Sequence, residues 1–164
     1  IEQSSDGIRP DIWKEGITRI SGANISDIFL DSENKVSGTY GGKLQYDPTF
    51  YPPGHSDIVV TQAISRFEFE IGEEYEISMW VKTGNIKVWI YMVEGYPYSN
   101  FWLALPNNDG IASNTDWAKY TKRFIADDNN LRVDPELTIF LDDSNRSEMG
   151  FAWIDDVIIK KVEE

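Results

Sequence analysis

Apolar and polar residues alternate through most of the second half of the chain. Over 75–82, Tyr75, Ile77, Met79 and Val81 share one face, and Glu76, Ser78, Trp80 and Lys82 the other. Gly72 precedes this run as a turn residue. Thr83-Gly84-Asn85 breaks it and predicts a hairpin into a second strand over 86–93. There Val88, Ile90 and Met92 form one face, and Lys87, Trp89 and Tyr91 the other. Further strands are predicted over 117–124, 137–141 and 151–161, with shorter ones over 42–46, 59–64 and 67–71. The stretches 2–35, 47–57 and 94–116 read as irregular. No long amphipathic helix, internal repeat or low-complexity linker interrupts the series. Many short strands separated by turns predict an all-β fold, a jelly-roll β-sandwich of two antiparallel sheets. Its 164 residues suit a single domain over 1–164.

Composition narrows the partners. The net charge of −13 argues against nucleic acid, which demands clustered Lys and Arg, and disfavours polyanionic sugars. No apolar run is long enough to span a bilayer, so membrane insertion is not expected. Without cysteine there is no disulfide, thiolate metal site or Cys nucleophile. The abrupt start at Ile1-Glu2 reads as a piece of a longer modular protein, a monomer tethered to other domains.

The aromatics are the unusual feature, with 6 Trp, 8 Tyr and 8 Phe. A core uses some of them, but alternation sets Trp80, Trp89 and Tyr91 on polar faces. Phe140 joins them, because Leu137, Ile139 and Leu141 take the inward phase. An aromatic ring offers a flat apolar area that matches the C–H face of a pyranose. The competing reading is that a second layer or a long loop covers these rings. Gln62, Lys82, Lys87, Arg123 and Asp142 are polar candidates by strand phase, and for each a solvated surface role competes. Tyr96, Tyr98 and Trp102 crowd one loop, where they would either cap the core or border a cleft.

Catalytic signatures are missing. His55 is the only histidine and sits in a Pro-Gly loop with no nucleophile motif around it. A Glu-x-Asp-x-x-Glu strand, which would supply paired carboxylates to a jelly-roll glucanase, does not occur. An enzyme is therefore not expected.

The motif order resembles the jelly-roll carbohydrate-binding modules of families four, nine, sixteen and twenty-two. The matching residues are Gln62, then Gly72, then Tyr75 through Trp80-Val81-Lys82. Next come Trp117, Tyr120 and Phe124, and finally Ile154-Asp155-Asp156-Val157. The resemblance implies a galactose-binding-domain-like sandwich with a concave groove lined by Trp80, Trp89 and Tyr91. It implies a non-catalytic, secreted or cell-surface module for a neutral or weakly charged polysaccharide or oligosaccharide of the β-glucan, xylan or mannan class. It would target an attached glycoside hydrolase. The alternative is a glycan- or protein-binding adhesion domain of a phage tail or cell-surface assembly. The resemblance also implies a structural calcium ion, with Asp155 and Glu2 as ligands and carbonyls near Gly42 and Lys43 completing the shell.

Overall fold

The computed structural model describes residues 28–46, 58–63, 69–94, 100–127, 135–141 and 148–163. Nine strands run in chain order: β1 Ile28–Asp31, β2 Gly41–Tyr46, β3 Ile58–Ala63, β4 Glu74–Gly84, β5 Val88–Glu94, β6 Asn100–Leu105, β7 Ala118–Ile125, β8 Pro135–Leu141 and β9 Gly150–Lys161. They build a five-stranded sheet in the order β1-β2-β9-β4-β7 and a four-stranded sheet in the order β3-β8-β5-β6. Every pairing is antiparallel. The expected two-sheet β-sandwich is what forms. Among the described residues there is no helix, and so none long and apolar enough to cross a membrane.

The alternation sets the core. Ile77, Met79 and Val81 from β4 meet Val88, Ile90 and Met92 from β5 and Leu137, Ile139 and Leu141 from β8, all fully buried. Leu44, Tyr46, Ala152 and Ile154 complete the five-stranded side. Each such aliphatic side chain contributes about 1.5–3 kcal/mol by leaving water.

The expected hairpin does not form. β4 pairs with β7 and β9, whereas β5 pairs with β6 and β8. After Gly84 the chain turns at Asn85, with φ of 56°, and crosses to the other sheet. Ile86, fully buried, anchors this crossing. The segment 107–116 braces it: Thr83 Oγ1 donates to the Ala112 carbonyl at 2.8 Å, and the Asn85 amide donates to Asn114 Oδ1 at 2.8 Å. A break of three residues fits a hairpin and a sheet-to-sheet crossing equally well, so alternation alone could not separate them.

Three other expectations change. β1 and β6 lie in stretches read as irregular. The strand expected over 67–71 is not one in its described part, where Ile71-Gly72 is a turn. In β9 a bulge shifts the register with β4 between Ser78 and Trp80, and Asp156 takes φ of 47°. The extra residue leaves Trp153 and Asp155 in the outward phase but returns Val157 and Ile159 to the core.

Candidate functional site

Because the inner faces of β4 and β5 both pack into one core, their outer faces lie on opposite sides of the sandwich. The aromatics expected in one groove are therefore divided between two surfaces. Trp89, Tyr91 and Phe140 stand on the four-stranded sheet; Trp80, Lys82 and Arg123 stand on the five-stranded one.

On the four-stranded sheet, Trp89 lies directly opposite Phe140, and Tyr91 opposite Thr138 and Ala104. Tyr91 and Phe140 meet edge to face, with ring centroids 5.7 Å apart at 76°. All three rings are half-buried. Lys87 holds its ammonium 4.7 Å from the Trp89 centroid, a cation–π contact from two residues away on the same face. The 107–111 segment closes on the other side. Val88 and Ile111 exchange backbone hydrogen bonds of 3.0 and 2.7 Å, which brings Gly110 against Trp89. A Cβ on Gly110 would stand 2.8 Å from Trp89 Cδ1 and 2.7 Å from the Val88 carbonyl oxygen, at a φ of +74°. Glycine is thus required there, and the indole is fixed between a lysine and a turn. Among the described side chains, the outer face of these strands carries no carboxylate.

Gln62, expected beside these rings, pairs with Leu137, a core residue. The register rows of Phe140 and Tyr91 instead contain Val59 and Thr61. The side chains of β3, Gln62 among them, are outside the described residues. Trp102 lies on β6, but its side chain, like Tyr96, Tyr98, Asp142 and His55, is outside the described residues.

The outer face of the five-stranded sheet is differently made. Arg123 donates from Nε to Glu76 at 3.2 Å, and Lys160 reaches the other Glu76 oxygen at 3.2 Å. Lys160 first, and then Arg123, hold the Glu76 carboxyl below the usual range. Farther along, Trp80 pairs in register with Asp155 and Lys119, and Lys82 with Trp153. Trp153 and Phe151 stack at 5.6 Å and 26°. Lys82 Nζ lies 5.2 Å from the Trp153 centroid, and Lys43 Nζ 4.6 Å from that of Phe151. Both rings extend over Gly84, where a Cβ would sit 3.4 Å from Trp153. Sequence reasoning passed over Phe151 and Trp153, although their alternation with buried Ala152 and Ile154 marks them as outward.

Polar groups pin this second face. Trp153 Nε1 donates to Asp31 Oδ2 at 2.9 Å, and the amides of Glu33 and Asn34 donate to Asp31 Oδ1. Burial pushes the Asp31 carboxyl up, but these donors and the Asn34 side chain outweigh it and hold it below its ordinary value. Asp155, fully buried, accepts the Val36 and Ser37 amides on Oδ2 at 2.7 and 3.0 Å and the Asp156 amide on Oδ1 at 2.8 Å. These amide hydrogens suit a carboxylate acceptor. Among the described residues no cluster of acidic or histidine side chains could hold a metal, and Glu2 lies outside them. Lys43 is an internal strand position of β2, paired with Phe29 and Trp153. The amide clasp ties the 34–37 loop to the last strand.

No family model and no curated protein matches the sequence. Solved structures do match the fold. A family-4 carbohydrate-binding module is 16% identical, covering 84% of this chain and 91% of its own, with a TM-score of 0.55. The CBM22-1 and GH10 modules of endo-1,4-β-D-xylanase 10B from Clostridium thermocellum, complexed with xylohexaose, are 15% identical, covering 84% of this chain and 25% of that one, at 0.54. A cyclase from Fischerella sp. TAU is 12% identical over 92% of this chain and 84% of its own, at 0.58. One fold thus serves binding modules and an enzyme, and function has to be read from the site. The chain has the jelly-roll β-sandwich fold of the carbohydrate-binding modules that its motif order resembles.

Proposed function

We propose that the chain is a non-catalytic carbohydrate-binding module that holds a neutral polysaccharide on the outer face of its four-stranded sheet. The observation that carries this reading is the Trp89, Tyr91 and Phe140 cluster, held half-exposed on rigid strands. Indole and phenol rings take the C–H faces of successive pyranoses, with area gained at small entropic cost. The tyrosine hydroxyl and Lys87 can meet sugar hydroxyls along the edge. Strands hold such rings more exactly in place than loops do, which suits a site that binds without moving.

The ligand belongs to the β-glucan, xylan or mannan class, and the xylohexaose held by the xylanase modules makes xylan the first to try. The module would act in a secreted or cell-surface protein by keeping an attached enzyme near its polymer, which raises effective concentration without chemistry of its own.

Affinity electrophoresis against soluble xylan, β-glucan and mannan, with reducing ends measured in the same samples, tests the reading. Retarded migration without new reducing ends is expected. Trp89→Ala should weaken retention at least about tenfold, the effect of losing an aromatic anchor. Release of reducing ends, or full retention by folded Trp89→Ala, would overturn the proposal; binding to no glycan at all would point to an adhesion domain.

A further inference from the structure

The chain is strongly acidic, yet its positive charge is unevenly placed. Five cations, Lys43, Lys82, Lys119, Arg123 and Lys160, project from the outer face of the five-stranded sheet; on the four-stranded sheet Lys87 alone does so among the described side chains. Arg123 pairs with Glu74 and Glu76, and Lys160 with Glu76. Lys43, Lys82 and Lys119 have no carboxylate partner among the described residues, although acids outnumber cations 28 to 15 in the chain. Lys82 is held by a neutral acceptor, Asn34 Oδ1, at 3.1 Å. Asp31 is engaged by four hydrogen bonds and Asp155 by amides. Glu33 lines, with Asp31 and Lys43, a recess of about 360 Å³ at the β1 end.

Aromatic rings interleave with these three lysines. In register, Lys43 faces Trp153, Trp153 faces Lys82, and Trp80, two residues before Lys82 on the same face, faces Lys119. The band crosses β2, β9, β4 and β7, three strand spacings or roughly 14 Å. Rings alone would suit any sugar. Rings alternating with ammonium groups that lack a carboxylate partner suit one that carries a carboxylate, because each pyranose then presents a C–H face and a negative charge.

We propose that the outer face of the five-stranded sheet is a second glycan surface, for a uronate-bearing polysaccharide. Trp80 and Trp153 stack on sugar rings, and Lys43, Lys82 and Lys119 pair with the uronate carboxylates. The surface is separate from the Trp89 face and does not depend on it. Net charge of −13 disfavours polyanions at long range, but at physiological salt the Debye length is about 8 Å, so local charge decides contact.

The test uses two probes on one backbone, a hexamer of β-1,4-linked glucuronate and cellohexaose, titrated calorimetrically into the full chain. The uronate should bind and weaken as salt rises from about 50 to 500 mM. Replacing Lys43, Lys82 and Lys119 together with Gln should weaken it about tenfold. Trp89→Ala should leave uronate binding intact while weakening neutral glycan, so failure here is distinct from failure of the Trp89 face. The lysine variant keeps both tryptophans and is the primary one, since Trp153→Ala also removes the anchor to Asp31. The proposal is overturned if the uronate binds no better than cellohexaose. It is also overturned if the folded lysine variant binds uronate as before, or if polyglutamate competes as well as the uronate, which would mark a face for acidic protein.

Discussion

The two outer faces of the sandwich hold aromatic rings in different ways. On the four-stranded sheet, Tyr91 rests on Phe140, and Trp89 on the Lys87 side chain and the Gly110 turn. On the five-stranded sheet, Phe151 and Trp153 are held through polar groups: the indole N–H on Asp31, lysines over the rings, and the amide clasp at Asp155 beside them. An apolar shelf can exchange water for a sugar with little electrostatic penalty. A polar, charge-bearing shelf selects what it meets by charge. The same fold can therefore offer two unlike surfaces, set by which side chains occupy the outward phase of each sheet.

The largest effect expected from breaking one side alone is Asp155→Ala. It strips two long-range amides, Val36 and Ser37, of a fully buried acceptor. Hydrogen bonds to a charged acceptor are worth about 1.5–3 kcal/mol, and the freed amides of these exposed residues can turn to water, so urea unfolding should show a loss of about 2–3 kcal/mol. Asp155→Asn, which keeps one oxygen acceptor, should lose less. Melting should not respond to a chelator if the clasp acts without an ion; a chelator-induced drop matching the Asp155→Ala loss would place the expected calcium at this site.

Gly110→Ala is the corresponding break on the other sheet. The added methyl meets the Val88 carbonyl and the Trp89 indole at once, at a positive φ. The carbonyl belongs to a paired strand and cannot retreat, so the indole must move. A cost of about 2 kcal/mol is expected, together with weaker neutral-glycan retention and unchanged uronate binding. Retention equal to the parent would show that Trp89 need not be held where it is.

The two faces were not equally legible in the sequence. Period-two alternation correctly sorted inward from outward on β4, β5 and β8, and so identified Ile77, Ile90 and Ile139 as core and Trp80, Trp89 and Phe140 as outward. It cannot say which outside a residue faces. That depends on which sheet a strand joins, and hence on pairings such as Tyr75 with Phe124 and Trp89 with Phe140, far apart in the chain. Alternation alone therefore puts Trp80 and Trp89 in one groove. Asp155 stood out as a singular acid, but the amides that meet it come from well over a hundred residues upstream, in a stretch with no strand signal of its own. The β9 bulge, carried by an aspartate and not a glycine at positive φ, left no signal in the sequence.

Acid sharpens the contrast more gently. The Asp31 carboxyl is lowered in the folded chain. Its contribution is thus complete above the ordinary aspartate value, about 4, and is lost as pH falls through the lower folded-state value. Trp153 is one of its donors, so acid should loosen Trp153 before it affects Trp89. Melting followed from pH 6 to pH 3 should converge between the parent and Asp31→Asn. If the gap between them stays constant down to pH 3, Asp31 does not carry the charge assigned to it.

The smallest effect should come from Arg123→Ala, at the charged end of the five-stranded face. Arg123 is more than half exposed, and its partner Glu76 is held chiefly by Lys160, which the substitution leaves in place. Glu76 is lowered in the fold, so its contribution exists above the ordinary glutamate value, about 4.3, and fades as pH falls; removing the lesser of its two partners changes that little. A melting shift below about 2 °C is expected at pH 7. Uronate affinity should also hold, because Arg123 is already paired and adds little free charge to the band, in contrast to Lys43, Lys82 and Lys119. Calorimetry on Arg123→Ala thus separates two accounts of the positive face. If uronate affinity falls as far as it does in the lysine variant, net positive charge attracts the ligand wherever it sits. If affinity is kept, the contact is local, and the lysines beside the tryptophans determine it.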